Sequence, residues 1–254
     1  MNDLTDVSAW CGHWPFRALR PRDPAALKAY LQSQGVRRAW VSALESVLYP
    51  DPMDGNLPLV DAVAGDPYFA AIPIVDPSLA LWRQDVEECI KRGAAQAIRL
   101  TPNYHEYALT DACADACVRF AGEREILVYV QLRMMDERTH HPLMKVAGVS
   151  VADLIALAAR YPQVSFVVGA IYARDLARLR ESPNLSVDLS LVESPLGLRQ
   201  AVEALGPEKL LFGSQTPLIY YEANLQKMST MPCDVPPQHL KGIRHGNADR
   251  LLSR

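Results

Sequence analysis

The chain has 254 residues, 49% hydrophobic and 22% charged, with 26 Lys and Arg against 29 Asp and Glu for a net charge of −3. That profile is globular rather than disordered, and its mild acidity gives no reason to expect nucleic acid, whose binders carry a basic stripe. No apolar run approaches the ~20 residues needed to span a bilayer, and MNDLTDVSAW at the start carries acids where a secretory leader would carry bases.

Short apolar, β-branched runs alternate with helical patterns along the whole chain. Strands are predicted at 5–10, 37–42, 69–75, 95–100, 126–132, 164–169, 185–190 and 209–213, and helices near 24–34, 56–65, 80–92, 111–122, 150–160, 171–180, 195–206 and 219–228. Near-continuous runs such as AIPIV at 71–75 and VSFVV at 164–168 fit strands buried on both faces, as in a parallel sheet. Eight βα units of regular spacing predict one (β/α)8 TIM barrel spanning 1–254, with a doubly wound open sheet as the alternative. No linker or composition shift marks a boundary. The five cysteines, Cys11, Cys89, Cys113, Cys117 and Cys233, are odd in number and scattered, which points to a reducing cytoplasm and not to a disulfide framework. Cys113 and Cys117, one helical turn apart, read as small residues on a packed helix face.

In a barrel the site lies at the C-terminal ends of the strands. Side chains alternate between the interior and the helix layer, and a buried charge belongs where it finds partners. On that basis Ser8, Trp10, Arg99, Gln131, Arg133, Ser186, Asp188, Ser190 and Gln215 face inward.

Three segments carry a resemblance. KLLFGSQTP at 209–217 resembles the last barrel strand of decarboxylase-related amidohydrolases, a hydrophobic strand followed by Gly-Ser-Asp-x-Pro. GNADRLL at 246–252 is similar to that family's closing helix, and DVSAWCGHWP at 6–15 to its first strand, Asp-x-His-x-His with a following Gly and Trp-Pro. The resemblance implies an amidohydrolase-like barrel, and hydrolysis of a lactone or amide, or decarboxylation. It also implies where metal ligands would stand, and every such position has changed. The first-strand histidines fall on Ser8 and Trp10, the fifth-strand histidine on Gln131, the sixth near Gly169 or Ala170, and the last-strand aspartate on Gln215. Zn²⁺ sites use His, Cys, Asp and Glu, so no family-type metal is expected. There is no P-loop, dinucleotide fingerprint or paired CxxC, so no cofactor is expected either.

Arg99 and Arg133, near the tops of adjacent strands, are candidates to hold a carboxylate between two guanidinium forks; the competing reading is a structural ion network with Asp136, Asp188 or Glu193. His105 and His141 are the candidates for proton transfer, or else loop residues capping helices. Asp188 is a candidate general base, or an arginine's partner. Gln131, Gln215, Tyr104, Tyr107, Tyr220 and Arg17 would orient the substrate, while Trp10 and Trp14 fill space and line the pocket. His140 reads as a solvent residue. Cys11 with His13 two residues on is a geometrically possible nucleophile and base without further support. The expectation is a metal-independent enzyme acting on a small anionic, carboxylate-bearing molecule. The alternatives are a non-catalytic binder of a small ligand or protein and, last, a metal enzyme with ligands rebuilt from His13, His105, His140 or His141. Self-association into a homo-oligomer stays open.

Overall fold

The computed structural model describes residues 3–140, 145–194, 196–229 and 235–252. Eight parallel strands follow in chain order: β1 Leu4–Cys11, β2 Val36–Ala43, β3 Phe69–Ala71, β4 Ala97–Leu100, β5 Leu127–Gln131, β6 Phe166–Gly169, β7 Leu185–Asp188 and β8 Leu210–Leu211. The helices are α1 Pro24–Ser33, α2 Met53–Val63, α3 Trp82–Lys91, α4 Ala112–Glu123, α5 Val151–Arg160, α6 Gly197–Leu205, α7 Tyr221–Ser229, α8 Pro237–Lys241 and α9 Asn247–Leu252, with a 3₁₀ segment, Ala173–Leu179, after β6.

Local chemistry sets many of these boundaries. Asp23 caps α1 by accepting from Ala26 N at 2.8 Å, with Pro24 at the first helical position, and Ser150 caps α5 by accepting from Asp153 N at 3.2 Å. The expected strand 69–75 stops at Ala71 because Pro73 cannot donate to a ladder. The chain still runs alongside its neighbours there: Arg99 N donates to Pro73 O at 2.8 Å and Val75 N to Arg99 O at 2.9 Å, linking β3 to β4.

Strands pair in order from β1 to β3 and from β4 to β8. Val7 N donating to Phe212 O at 3.0 Å and Trp10 N donating to Thr216 O at 2.8 Å bring β8 back against β1 and close the barrel. Outward side chains such as Ile98, Val128, Val130, Phe166, Val187 and Phe212 pack against helix residues that include Leu27, Leu31, Val86 and Leu157. Inside, a lower apolar layer includes Val7, Trp40, Ile72, Leu127, Tyr129 and Val167, with Ala248 of α9 in contact. An upper layer of Trp10, Trp14, Leu44, Ile74, Met134 and Leu218 fills the mouth. No helix among the described residues is long and apolar enough to cross a membrane.

The β1–β8 seam carries a carboxylate. Asp6, fully buried, accepts from Ser214 N at 2.9 Å, Ser214 Oγ at 2.5 Å and Ser8 N at 3.0 Å. Burial pushes its carboxyl up to about 6 from an ordinary 3.8, against the pull of those donors. A raised folded-state pKa means that the native protein holds a proton the unfolded chain has lost between roughly pH 4 and 6. This group's contribution to stability is therefore present at low pH and lost as pH rises through 6. Urea unfolding of wild type and Asp6→Asn across pH 4–7 should show the difference: as pH falls from 6 towards 4 the wild type should gain stability relative to the variant, by at most about 1.4 kcal/mol per pH unit. A gap independent of pH would place the titration elsewhere.

Candidate active site

The positions assigned to metal ligands converge at the top of the barrel, but with side chains that hold one another. Ser8 Oγ donates to Gln215 Oε1 at 2.7 Å, Gln215 Nε2 to Met134 O at 3.0 Å, and Gln131 Nε2 to Arg133 O at 2.8 Å. At Gly169 there is no room for a side chain: a Cβ would lie 2.4 Å from Tyr129 Cε1 and 2.7 Å from Gln131 Oε1. Gln215 and Ala170 both sit in the left-handed region, φ 57° and 55°. Such backbones persist where the surroundings over-determine them, and Ala170 is held at both ends, by Asp188 on its N–H at 3.3 Å and Arg133 on its carbonyl at 2.6 Å.

Arg99 stands inside this ring of residues, 0% exposed. Its guanidinium carbon lies 4.2 Å from the Trp10 ring centroid and 4.1 Å from that of Tyr129, and Nη2 donates to Val7 O at 3.3 Å. Nε and Nη1 meet no protein acceptor. Burial pushes its pKa down, opposed by charge on Tyr129, Asp188 and Asp6; an arginine starts so high that it stays a cation. Asp188, also fully buried, accepts from the Tyr129 hydroxyl, Ser190 Oγ at 2.5 Å, Ser190 N at 2.9 Å and Ala170 N. A carboxylate so fully occupied is a structural anchor rather than a free base.

A metal does not fit this donor set. A hydroxyl, an indole, two neutral amides and a glycine take the place of anionic and imidazole ligands, and a fixed cation lies against the indole. Among the described residues, no three His, Cys, Asp or Glu side chains come together as a metal cluster.

Several expected site residues do not meet. Arg99 and Arg133 share no anion fork: Arg99 lies below the apolar layer of the mouth. Arg133 stacks 4.0 Å over the Tyr172 ring and reaches Ala170 O and Glu137 Oε1, the latter at 3.3 Å. The depth of a strand residue below the mouth is what charge alone does not reveal. His105 turns to Ser46 O (3.3 Å) and Thr101 Oγ1 (3.4 Å), and burial lowers its pKa. Tyr107 is buried in a setting that includes Cys117, Asp76 and Cys113, far above the usual phenol range, and Tyr220 is 82% exposed. Cys11 belongs to the outer apolar cluster, where burial pushes its thiol up to about 12, so it offers no thiolate to His13. His141 lies outside the described residues.

What the mouth does offer is a cavity of about 260 Å³ above the apolar layer. Trp14, Tyr104 and Phe16 wall it with aromatic rings, Trp14 meeting the other two edge to face at 6.2 and 5.4 Å. Arg17, Thr139 and His140 supply its polar edge, with Leu48, Met135 and Val146 completing it. Arg17 is positioned by Nη2 donating to Leu218 O, and His140 Nδ1 accepts from Val146 N at 3.4 Å. Tyr104 is pushed up to about 12 by burial and stays protonated. Trp14, Tyr104 and Arg17 were readable as candidates, and His140 only as a solvent residue or a rebuilt metal ligand; Phe16, Leu48 and Val146 were not, since apolar loop residues carry no signal until the loops are placed. The β5 loop that supplies Met135 to His140 is clipped by Arg138, which pairs with Asp136, holding it down to about 2, and with Glu193 at 2.9 Å. Lys227, another residue without a sequence signal, donates to Leu189 O (2.7 Å), Ser190 O (3.1 Å) and Asn224 Oδ1 (2.8 Å), and burial lowers it to about 8.

The crowding at Gly169 is directly testable. Gly169→Ala should cost about 1–3 kcal/mol in urea unfolding, because Tyr129 must move to admit a methyl. A neutral result would mean that the ring yields freely.

The fold has close relatives of known structure. A 5-carboxyvanillate decarboxylase from Sphingomonas paucimobilis superposes with TM-score 0.77 at 17% identity, covering 100% of this chain and 99% of that one. A dihydroxybenzoic acid decarboxylase from Polaromonas sp., whose structure holds manganese and the inhibitor 2-nitroresorcinol, gives 0.78 at 14%, covering 100% and 97%. A 2,6-dihydroxybenzoate decarboxylase from Rhizobium gives 0.72 at 11%, covering 100% and 99%. No curated protein sequence matches the chain. At these identities the likeness is one of fold. The sequence itself matches the model of the amidohydrolase family over residues 20–254, from the first loop to the closing helix, and the chain belongs to that family.

Proposed function

We propose that the protein is a metal-independent amidohydrolase-family enzyme that takes a small carboxylate-bearing molecule into the mouth cavity and decarboxylates it, or hydrolyses its lactone or amide bond. The observation that carries this reading is the cavity itself: three aromatic walls, one guanidinium and one imidazole enclose a volume suited to a single ring with an anionic group. Arg17 meets the anion. His140, with Nδ1 engaged by Val146 N, presents Nε2 as the nitrogen that carries a proton in the neutral ring. In a decarboxylation the bond to the carboxyl carbon breaks, CO₂ leaves, and the carbon left behind takes a proton, which His140 supplies from its doubly protonated form, giving up the Val146 contact at Nδ1 while charged and regaining it as the neutral ring. In a hydrolysis water attacks the carbonyl carbon and gives its proton to solvent, the Nε2–H of His140 donates a hydrogen bond to the oxyanion that forms, and the departing oxygen or nitrogen takes a proton from solvent. No step passes through a metal.

One observation favours a second reading, a small-ligand binder without chemistry. Asp188 is saturated and Arg99 sealed, so among the described residues that line the cavity His140 supplies the one imidazole and no carboxylate stands beside it.

Benzoate and 2,6-dihydroxybenzoate serve as probes. Either should raise the melting temperature and quench tryptophan fluorescence, with both effects reduced about tenfold in affinity by Arg17→Met. His140→Gln should keep binding and abolish turnover; binding without turnover in wild type selects the second reading. The absence of any shift with either probe would sink the cavity assignment. Elemental analysis after dialysis should find well below about one equivalent of Zn, Mn, Fe or Ni, and stoichiometric metal would overturn the metal-free mechanism.

A further inference from the structure

The centre of the barrel is rebuilt around a positive charge. Arg99 is flanked by the rings of Trp10, which stands on one of the ligand positions, and of Tyr129, which fills the space beside two others, Gly169 and Gln131. We infer that Arg99 is the barrel's own fixed cation: it stands in the space of a metal ion and holds the Tyr129–Asp188 pair, and through it the β6 loop.

Three features of the site require a guanidinium. A planar, delocalised and weakly hydrated cation can be covered by aromatic rings, and here two rings lie within about 4 Å of it. An ammonium has no flat faces and holds its water more tightly. The charge is answered inside the barrel: Tyr129 donates to Asp188 from the ring that Arg99 covers, and Ser8 and Ser214 tie the second carboxylate, Asp6, nearby. The apolar layer of Trp10, Ile74, Met134 and Leu218 separates the cation from the mouth, so it cannot anchor a ligand in the cavity. Its influence on the mouth is indirect. Asp188 holds Ala170 N–H, and Ala170 O holds Arg133, so the chain Arg99–Tyr129–Asp188–Ala170–Arg133 runs from the centre to the rim. Arg99 is thus a positioning residue, not a catalytic one.

The inference deepens the metal-independent reading and does not depend on what the mouth cavity binds. Proton–nitrogen correlation spectra of the arginine Nε–H groups test it in the intact protein. Arg99 should give one resonance shifted upfield by the ring currents and slow to exchange with water, absent in Arg99→Lys and moved downfield in Trp10→Leu. Melting curves add a second readout: Arg99→Met should be strongly destabilised, and Asp188→Asn in the same chain should recover roughly half of the loss, because it removes the orphaned countercharge. Arg99→Lys should not rescue. A fast-exchanging, unshifted Arg99 resonance, or strictly additive losses in the double variant, would overturn the inference. Mn²⁺ or Zn²⁺ that displaces the Arg99 resonance would overturn it as well. Metal that binds without moving that resonance would overturn the metal-free mechanism alone and leave the cation where it is.

Discussion

A fully buried guanidinium must be answered by charge and by polarizable surface, and much of the barrel interior supplies that answer. Trp10 and Tyr129 cover Arg99, Val7 O takes one of its protons, and Asp188 balances it through the Tyr129 hydroxyl. Removing one member of such a set leaves a buried charge unpaired, which costs far more than the set gains by existing. The members therefore constrain one another. Tyr129 must stay close to Asp188, so residue 169 must be glycine, and Gln131 and Gln215 turn to backbone and to Ser8 instead of to a bound ion.

This arrangement divides the molecule into two storeys. Below the Trp10–Met134 layer the Asp6 and Asp188 carboxylates are committed to the fold through several donors each. Above it, the loops after β1, β2, β4 and β5 enclose a space whose polar groups, Arg17 and His140, are held lightly, each by one backbone contact. Relatives of the same fold show what this architecture can host: one carries manganese with an inhibitor. The division explains how a chain can keep that fold over its full length while placing its accessible chemistry on loops, where substitution costs the core little.

The fold was almost wholly readable from the chain. Period and apolar run length located all eight strands, and the requirement that Arg99 and Asp188 find partners put both on the face where they meet Tyr129, while an irregularity of β1 between Asp6 and Ala9 brings Val7 inside as well. What failed was depth. Arg99 and Arg133 sit on neighbouring strands, and nothing in their spacing says that Trp10, Ile74 and Met134 close over one and not the other. The same blindness affected His105 and Tyr107, whose loop curls back onto Ser46 and α4, and His140, which sequence placed in solvent. Loop side chains are positioned by long-range contacts such as the Arg138–Glu193 pair, fifty-five residues apart, and local pattern does not encode these. The short terminal helix α8 also went unread, since five residues hold no full amphipathic period.

Gly169 has a bearing on how such a protein could change over generations. A histidine introduced there meets Tyr129; a smaller residue at 129 takes a hydroxyl donor from Asp188; an uncharged residue at 99 removes the cation that answers Asp188 and Asp6. Each such single change breaks a contact on which the present interior depends. The interior is therefore interlocked: a side chain at 169 can be accommodated only if Tyr129, and with it Asp188, changes in the same step.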